Sequence, residues 1–139
     1  MPDLSDKVHE ALQKGYHCSQ VMMWLSLELR GINDPLLIRA MGGLALGMFS
    51  SKACGTLTGA ACTLSSYFPR NEGESEPEAY RAPVHEFVTW FKDQFGALDC
   101  RDLVENDQGQ IQRFCPIMME KCFVKIAEIL EAHSVDPTR

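Results

Sequence analysis

The stretch KACGTLTGAACTL, residues 52–64, decides how the rest of the chain is read. Cys54 is followed at once by Gly55, Thr56, Leu57, Thr58, Gly59, Ala60 and Ala61. Nothing in the run alternates as a half-buried strand would, and nothing in it breaks a helix outright. On a helix, Gly55 and Gly59 stand four apart and share a face, which Ala60 and Thr63 widen. Such a face lets another backbone approach closely, or leaves room for a cofactor beside Cys54. The segment therefore predicts a tightly packed helix with a thiol at its head.

Working outward, the neighbouring segments also read as helices. Upstream, Leu4 to Lys14 carries an apolar stripe and stops at Gly15. Ser19 to Arg30 places Met22, Leu25 and Leu29 on one stripe, and Gly31 ends it. Asn33 or Asp34 then caps a helix with Pro35 at its first position. Gly42, Gly43 and Gly47 follow no predicted strand, so they do not read as a phosphate loop. Downstream, the helix from Cys54 fades at Tyr67-Phe68-Pro69. PRNEGESEPE, residues 69–78, reads as a polar loop. A longer helix is expected over Glu78 to Phe95, with Pro83 as its kink or true start. A short helix is expected after Asp99 and Cys100, and ENDQGQ, residues 105–110, reads as a turn. The last helix is expected to begin at Pro116 and run to about Ala132. The expectation is one all-α domain over residues 1–139, a compact bundle of about five to seven helices.

The chain has 139 residues, enough for one domain with a real core. A net charge of −6 argues against a nucleic-acid binder, which carries a basic patch. MPDLSDKVHE is acidic and lacks the apolar core of a secretory leader. No run of about 18 apolar residues offers a membrane span. The cytoplasm is the expected location, with no nucleic acid and no membrane among the partners. A homodimer is a reasonable arrangement for short helices with exposed apolar faces.

In that compartment thiols stay reduced, so six cysteines point to metal, cluster or redox chemistry rather than to structural bridges. Four of them, Cys18, Cys54, Cys100 and Cys115, fall at expected helix starts, Cys115 because Pro116 follows it. A helix start offers unpaired N–H groups and a partial positive charge, which stabilise a thiolate. If the four starts converge at one end of the bundle, they form an electropositive thiolate pocket. Cys62 and Cys122 lie within helices among apolar residues and are expected in the core. No Cys-x-x-Cys pair exists, which disfavours a thioredoxin-type couple and a zinc ribbon.

The order GYHC, MGGLALGMFSSKACGTLTGA, DCRDL and FCP before a final helix resembles the bacterial and archaeal C_GCAxxG_C_C family, which is named for redox activity. The resemblance covers roughly residues 8–130. It implies that Cys18, Cys54, Cys100 and Cys115 are the family cysteines and that Gly55 and Gly59 belong to its central block. The family writes Gly-Cys-Ala-x-x-Gly, whereas this chain has Ala53-Cys54-Gly55 and its second glycine one place later, at Gly59. Some members are similar to modules that hold a small iron–sulfur cluster in larger redox proteins. Such a cluster commonly takes four thiolates, and this chain supplies four; the two-iron, two-sulfide type is the expected one.

The leading expectation is a cysteine-based redox or electron-transfer protein with an unidentified partner, in which Cys18, Cys54, Cys100 and Cys115 bind an iron–sulfur cluster. A metal-free dithiol–disulfide protein is the first alternative. A structural zinc protein or helical interaction module is the second. Whether the protein is an enzyme, and on what, the sequence leaves open. His17 adjoins Cys18 and could tune or replace a ligand. His9, His85 and His133 match no catalytic pattern. Met22, Met23, Met118 and Met119 read as core filler.

Overall fold

In a computed structural model, which describes residues 3–68, 78–104 and 108–139, seven α-helices account for the architecture. They are α1 (Leu4–Gln13), α2 (Cys18–Arg30), α3 (Pro35–Met41), α4 (Gly55–Ser65), α5 (Glu78–Phe95), α6 (Cys100–Val104) and α7 (Gln108–Ala132). Most of the expected loop at 69–78 and part of the turn at 105–110 lie outside the described residues.

The local chemistry explains several boundaries. Asp3 caps α1 through its carboxylate, which accepts from Ser5 N–H at 3.0 Å. Asp34 caps α3 in the same way, accepting from Leu37 N–H at 3.0 Å, with Pro35 at the first position. Gly31 closes α2 in the left-handed conformation, with φ of 69°. His17 precedes α2, and its N–H donates to the Gln20 side chain at 2.9 Å.

The central contact is α2 against α4, and the glycines of α4 explain it. A Cβ on Gly59 would stand 2.8 Å from both Cα and O of Ser19. Only hydrogen at that position lets the two backbones meet. Ser19 itself is buried, and its hydroxyl donates to Met41 O at 2.7 Å, tying α2 to the end of α3. Around this pair the core gathers Val21, Met22 and Met23 of α2, Leu57, Ala60 and Leu64 of α4, and Met118, Met119, Cys122, Ile126 and Ile129 of α7. Phe87, Trp90, Phe91 and Phe95 of α5 form a ring cluster whose closest centroids are 4.8 Å apart. Ser26 Oγ bonds Tyr67 Oη at 2.8 Å, Tyr67 donates to Pro137 O at 2.8 Å, and the Arg30 guanidinium lies 3.8 Å over the tyrosine ring.

Two expectations are corrected. The last helix does not start at Pro116. It starts at Gln108 and carries Pro116 inside it, so Cys115 is an interior residue of α7 rather than an N-cap. Gln108–Gln110, expected as part of a turn, instead open α7; the expected helix Glu78–Phe95 is found with those bounds, and Pro83 lies inside it. Proline suits a first turn, but a long helix held by packing on both sides tolerates one within it. No helix among the described residues is long and apolar enough to cross a membrane.

A cysteine-lined pocket

Three devices position the four cysteines. Cys18 is the first residue of α2. Its sulfur lies directly over Gly55, where an added Cβ would approach it to 2.5 Å. Gly55 therefore leaves the space that Cys18 occupies, while Gly59, one turn on, admits the α2 backbone. Cys54 and Cys100 are brought together by a single antiparallel bridge between Ala53 and Asp99. Cys54 N–H donates to Leu98 O at 2.8 Å, and Cys100 N–H donates to Lys52 O at 2.7 Å. The two cysteines then lead directly into α4, which Cys54 caps, and α6, which Cys100 opens. Cys115 arrives from the side, carried on α7.

All four line one pocket of about 410 Å³ with an otherwise largely apolar wall, including Leu12, Tyr16, Leu46, Met118 and Met119. Gly55 also lines it; Gly59 is not among its lining residues and serves the crossing of α2 and α4. All six cysteines are unbridged. Cys122 is fully buried in the core, as expected. Cys62 is only half-buried and borders a shallow groove with Arg81 and His85, away from the four.

The electrostatics run against the expectation of stabilised free thiolates. Burial, with the neighbouring Cys18 adding to it, pushes the Cys54 thiol up from its ordinary value of 9.0 to about 11. The N–H groups of Leu57 and Thr56 and the Thr56 hydroxyl pull the other way, as a helix start should, and lose. Burial also raises Cys115, to about 12, and the charges that Cys18, Cys54 and Cys100 would carry add to the shift. Cys100 is raised by the same two causes, burial first and Cys18 second. The thiols are thus close enough to feel one another, yet the pocket alone keeps Cys54 and Cys115 protonated at neutral pH. Among the described residues, no group of three or more His, Cys, Asp or Glu side chains is gathered as a site for a single metal ion.

Several features of the rim were invisible in the sequence. Leu46, Met48, Phe49 and Ser51 all have left-handed backbone, with φ between 51° and 59°. Gly47 among them has φ of 63°, and a Cβ there would collide with the Lys52 backbone. Phe49 is 62% exposed, and its ring meets that of His17 edge-on at a centroid distance of 5.9 Å. His17 lines the pocket beside Cys18.

Fold and pocket together define a small helical protein built around four clustered thiols. The chain belongs to the C_GCAxxG_C_C family: that family's model, described as "Putative redox-active protein (C_GCAxxG_C_C)", matches residues 16–129. The match spans all four pocket cysteines and gives the protein a general redox role. No curated protein and no solved structure matches the chain.

Proposed function

We propose that this is an electron-transfer protein in which Cys18, Cys54, Cys100 and Cys115 hold an iron–sulfur cluster of the two-iron, two-sulfide type. The observation that carries the reading is the convergence of these four cysteines, from four separate helices, on one apolar-walled pocket of about 410 Å³.

The donor set fits such a group. Clusters of this type take four cysteine thiolates, two at each iron, and do not need three ligands around one ion. Burial of Cys54 and Cys115 opposes free thiolates, so a bound cation is what would make four of them tenable together. That same burial disfavours Cys54 and Cys115 as the attacking thiol of a metal-free dithiol couple.

When bound, the cluster would supply one-electron chemistry. The chain's part is to hold four sulfur ligands in place, to keep water from most of the site with Leu12, Leu46, Met118 and Met119, and to aim α4 N–H groups at Cys54. Donors facing a ligand sulfur favour the more negative, reduced state and so raise the potential. With the group held there, one electron at a time would pass from a donor to an acceptor, and no bond in the chain would form or break. The test is alanine substitution of each cysteine after anaerobic reconstitution. Loss of the visible chromophore with Cys18, Cys54, Cys100 or Cys115, and its retention with Cys62 and Cys122, is the expected pattern. A chromophore that survives Cys54→Ala refutes the assignment.

A further inference from the structure

Helix α4 contains three threonines, and they differ in how their hydroxyls are satisfied. Thr63 donates to Gly59 O at 2.8 Å. Thr58 donates to Cys54 O and Gly55 O, each at 3.3 Å. These are the usual back-bonds of threonine in a helix. Thr56 makes none. Its side chain is 0% exposed, and among the described residues its Oγ1 is the one buried side-chain oxygen or nitrogen without a hydrogen-bond partner. The carbonyl four residues before it, Lys52 O, already accepts from Cys100 N–H.

A buried hydroxyl left unpaired costs about 1–3 kcal/mol, so it calls for an explanation. Its position supplies one. Thr56 is the second residue of α4, and Cys54 is the N-cap. The Cys54 side chain makes no capping hydrogen bond of good geometry, but its sulfur lies near the N–H groups of Thr56 and Leu57. The hydroxyl makes no bond of good geometry to the neutral thiol, yet it lies close enough to act on the Cys54 sulfur. A thiol is a weak acceptor and a ligating thiolate a strong one.

We infer that Thr56 is a positioning residue whose hydroxyl donates to the Cys54 sulfur once that sulfur is a ligand, fixing its orientation and raising the reduction potential of the bound centre. This rests on the cluster reading above. It also explains why an otherwise unsatisfied hydroxyl sits at the head of a helix that uses its other two threonines conventionally.

The experiment compares wild type, Thr56→Val, Thr56→Ser and Thr56→Ala in two states of the full chain. In the reconstituted protein, a spectroelectrochemical titration reads the midpoint potential. Valine removes the donor at nearly constant volume and should lower the potential, shifting the oxidised-to-reduced ratio about three- to tenfold for one hydrogen bond. Tenfold corresponds to about 59 mV for one electron. Serine keeps the donor and should stay near wild type. In the metal-free protein, Thr56→Val should melt at or above the wild-type temperature, because the hydroxyl has no partner to lose. A potential unchanged in Thr56→Val, or a valine protein clearly less stable than wild type when metal-free, overturns the inference while leaving the cluster reading intact. If valine does not fold, the alanine–serine difference in potential decides in the same way. A wild type that takes up no iron and sulfide removes the cluster reading, and this inference with it.

Discussion

Gly55→Ala separates a residue that packs helices from one that places a ligand. An added Cβ would lie 2.5 Å from Cys18 Sγ, 3.1 Å from Leu44 O and 3.3 Å from Ala45 Cα. The closest obstacle is the end of a side chain, which can rotate away. At Gly59 the obstacles are Cα and O of Ser19, both at 2.8 Å, and a backbone inside a helix cannot yield separately. Overpacking costs about 1–3 kcal/mol. Replacing glycine by alanine in a helix returns about 0.5–1 kcal/mol. Gly55→Ala should therefore cost between about 0 and 2.5 kcal/mol, whereas Gly59→Ala should reach the upper end of the overpacking range or exceed it. At about 4 °C per kcal/mol for a chain of this size, the second variant should melt about 12 °C or more below wild type and the first much nearer to it. Loading should follow a different order. Rotating Cys18 away from Gly55 moves a ligand, and an error of that kind weakens metal binding by about 10- to 100-fold. Thermal melting of the metal-free proteins, with iron and sulfide analysis after reconstitution, measures both effects. A stable Gly55→Ala protein that loads like wild type would refute the claim that Gly55 sets the place of Cys18.

Other outcomes follow from the same geometry. The raised thiol pKa values of Cys54 and Cys115 make the metal-free protein sensitive to alkali. Below about pH 9 these thiols are neutral in both folded and unfolded chains, and their contribution to stability is fully present. Between the ordinary value of 9.0 and the folded values of about 11 and 12 the unfolded chain ionises first, so stability falls as pH rises. Urea titrations of reduced protein across that window should show the decline, and it should flatten in Cys115→Ala. Tyr67→Phe removes the hydroxyl that links Ser26 to Pro137 O and leaves the buried Ser26 hydroxyl without that partner. It should cost about 1–3 kcal/mol in a denaturant melt without changing iron content. Cys122→Ala, at a fully buried site, should destabilise by about 1 kcal/mol, while Cys62→Ala at its half-buried groove should stay within about 0.5 kcal/mol.

The helical class was legible because its signals are local. Asp34 before Pro35 is a local helix-start signal, and Gly15 and Gly31 are local stops. The small face of α4 announced close packing through Gly59 before any partner was visible. Pro116 misled because proline at a first helical position and proline inside a packed helix look identical in sequence. That error turned Cys115 into a helix start. Its corollary, an electropositive thiolate nest, fails on Cys54 as well, because burial outweighs the helix N-terminus there. The candidate cysteines could be named from their order, but not their meeting point. Their convergence depends on the Ala53–Asp99 bridge, a non-local backbone pairing with no side-chain signature. The left-handed run at Leu46, Met48, Phe49 and Ser51 was equally hidden, since none of those residue types favours that conformation. Thr56 carries no signal either; only the unsatisfied hydroxyl in the folded protein sets it apart from Thr58 and Thr63.

The central claim is that four converging thiols hold an iron–sulfur centre. Its most direct test is an anaerobic preparation of the intact chain, with its visible spectrum and its iron, acid-labile sulfide and zinc content. Sulfur-to-iron charge-transfer bands, with about two irons and two sulfides per chain, are the predicted result. A colourless protein, either free of metal with reactive thiols or holding one zinc, would contradict it.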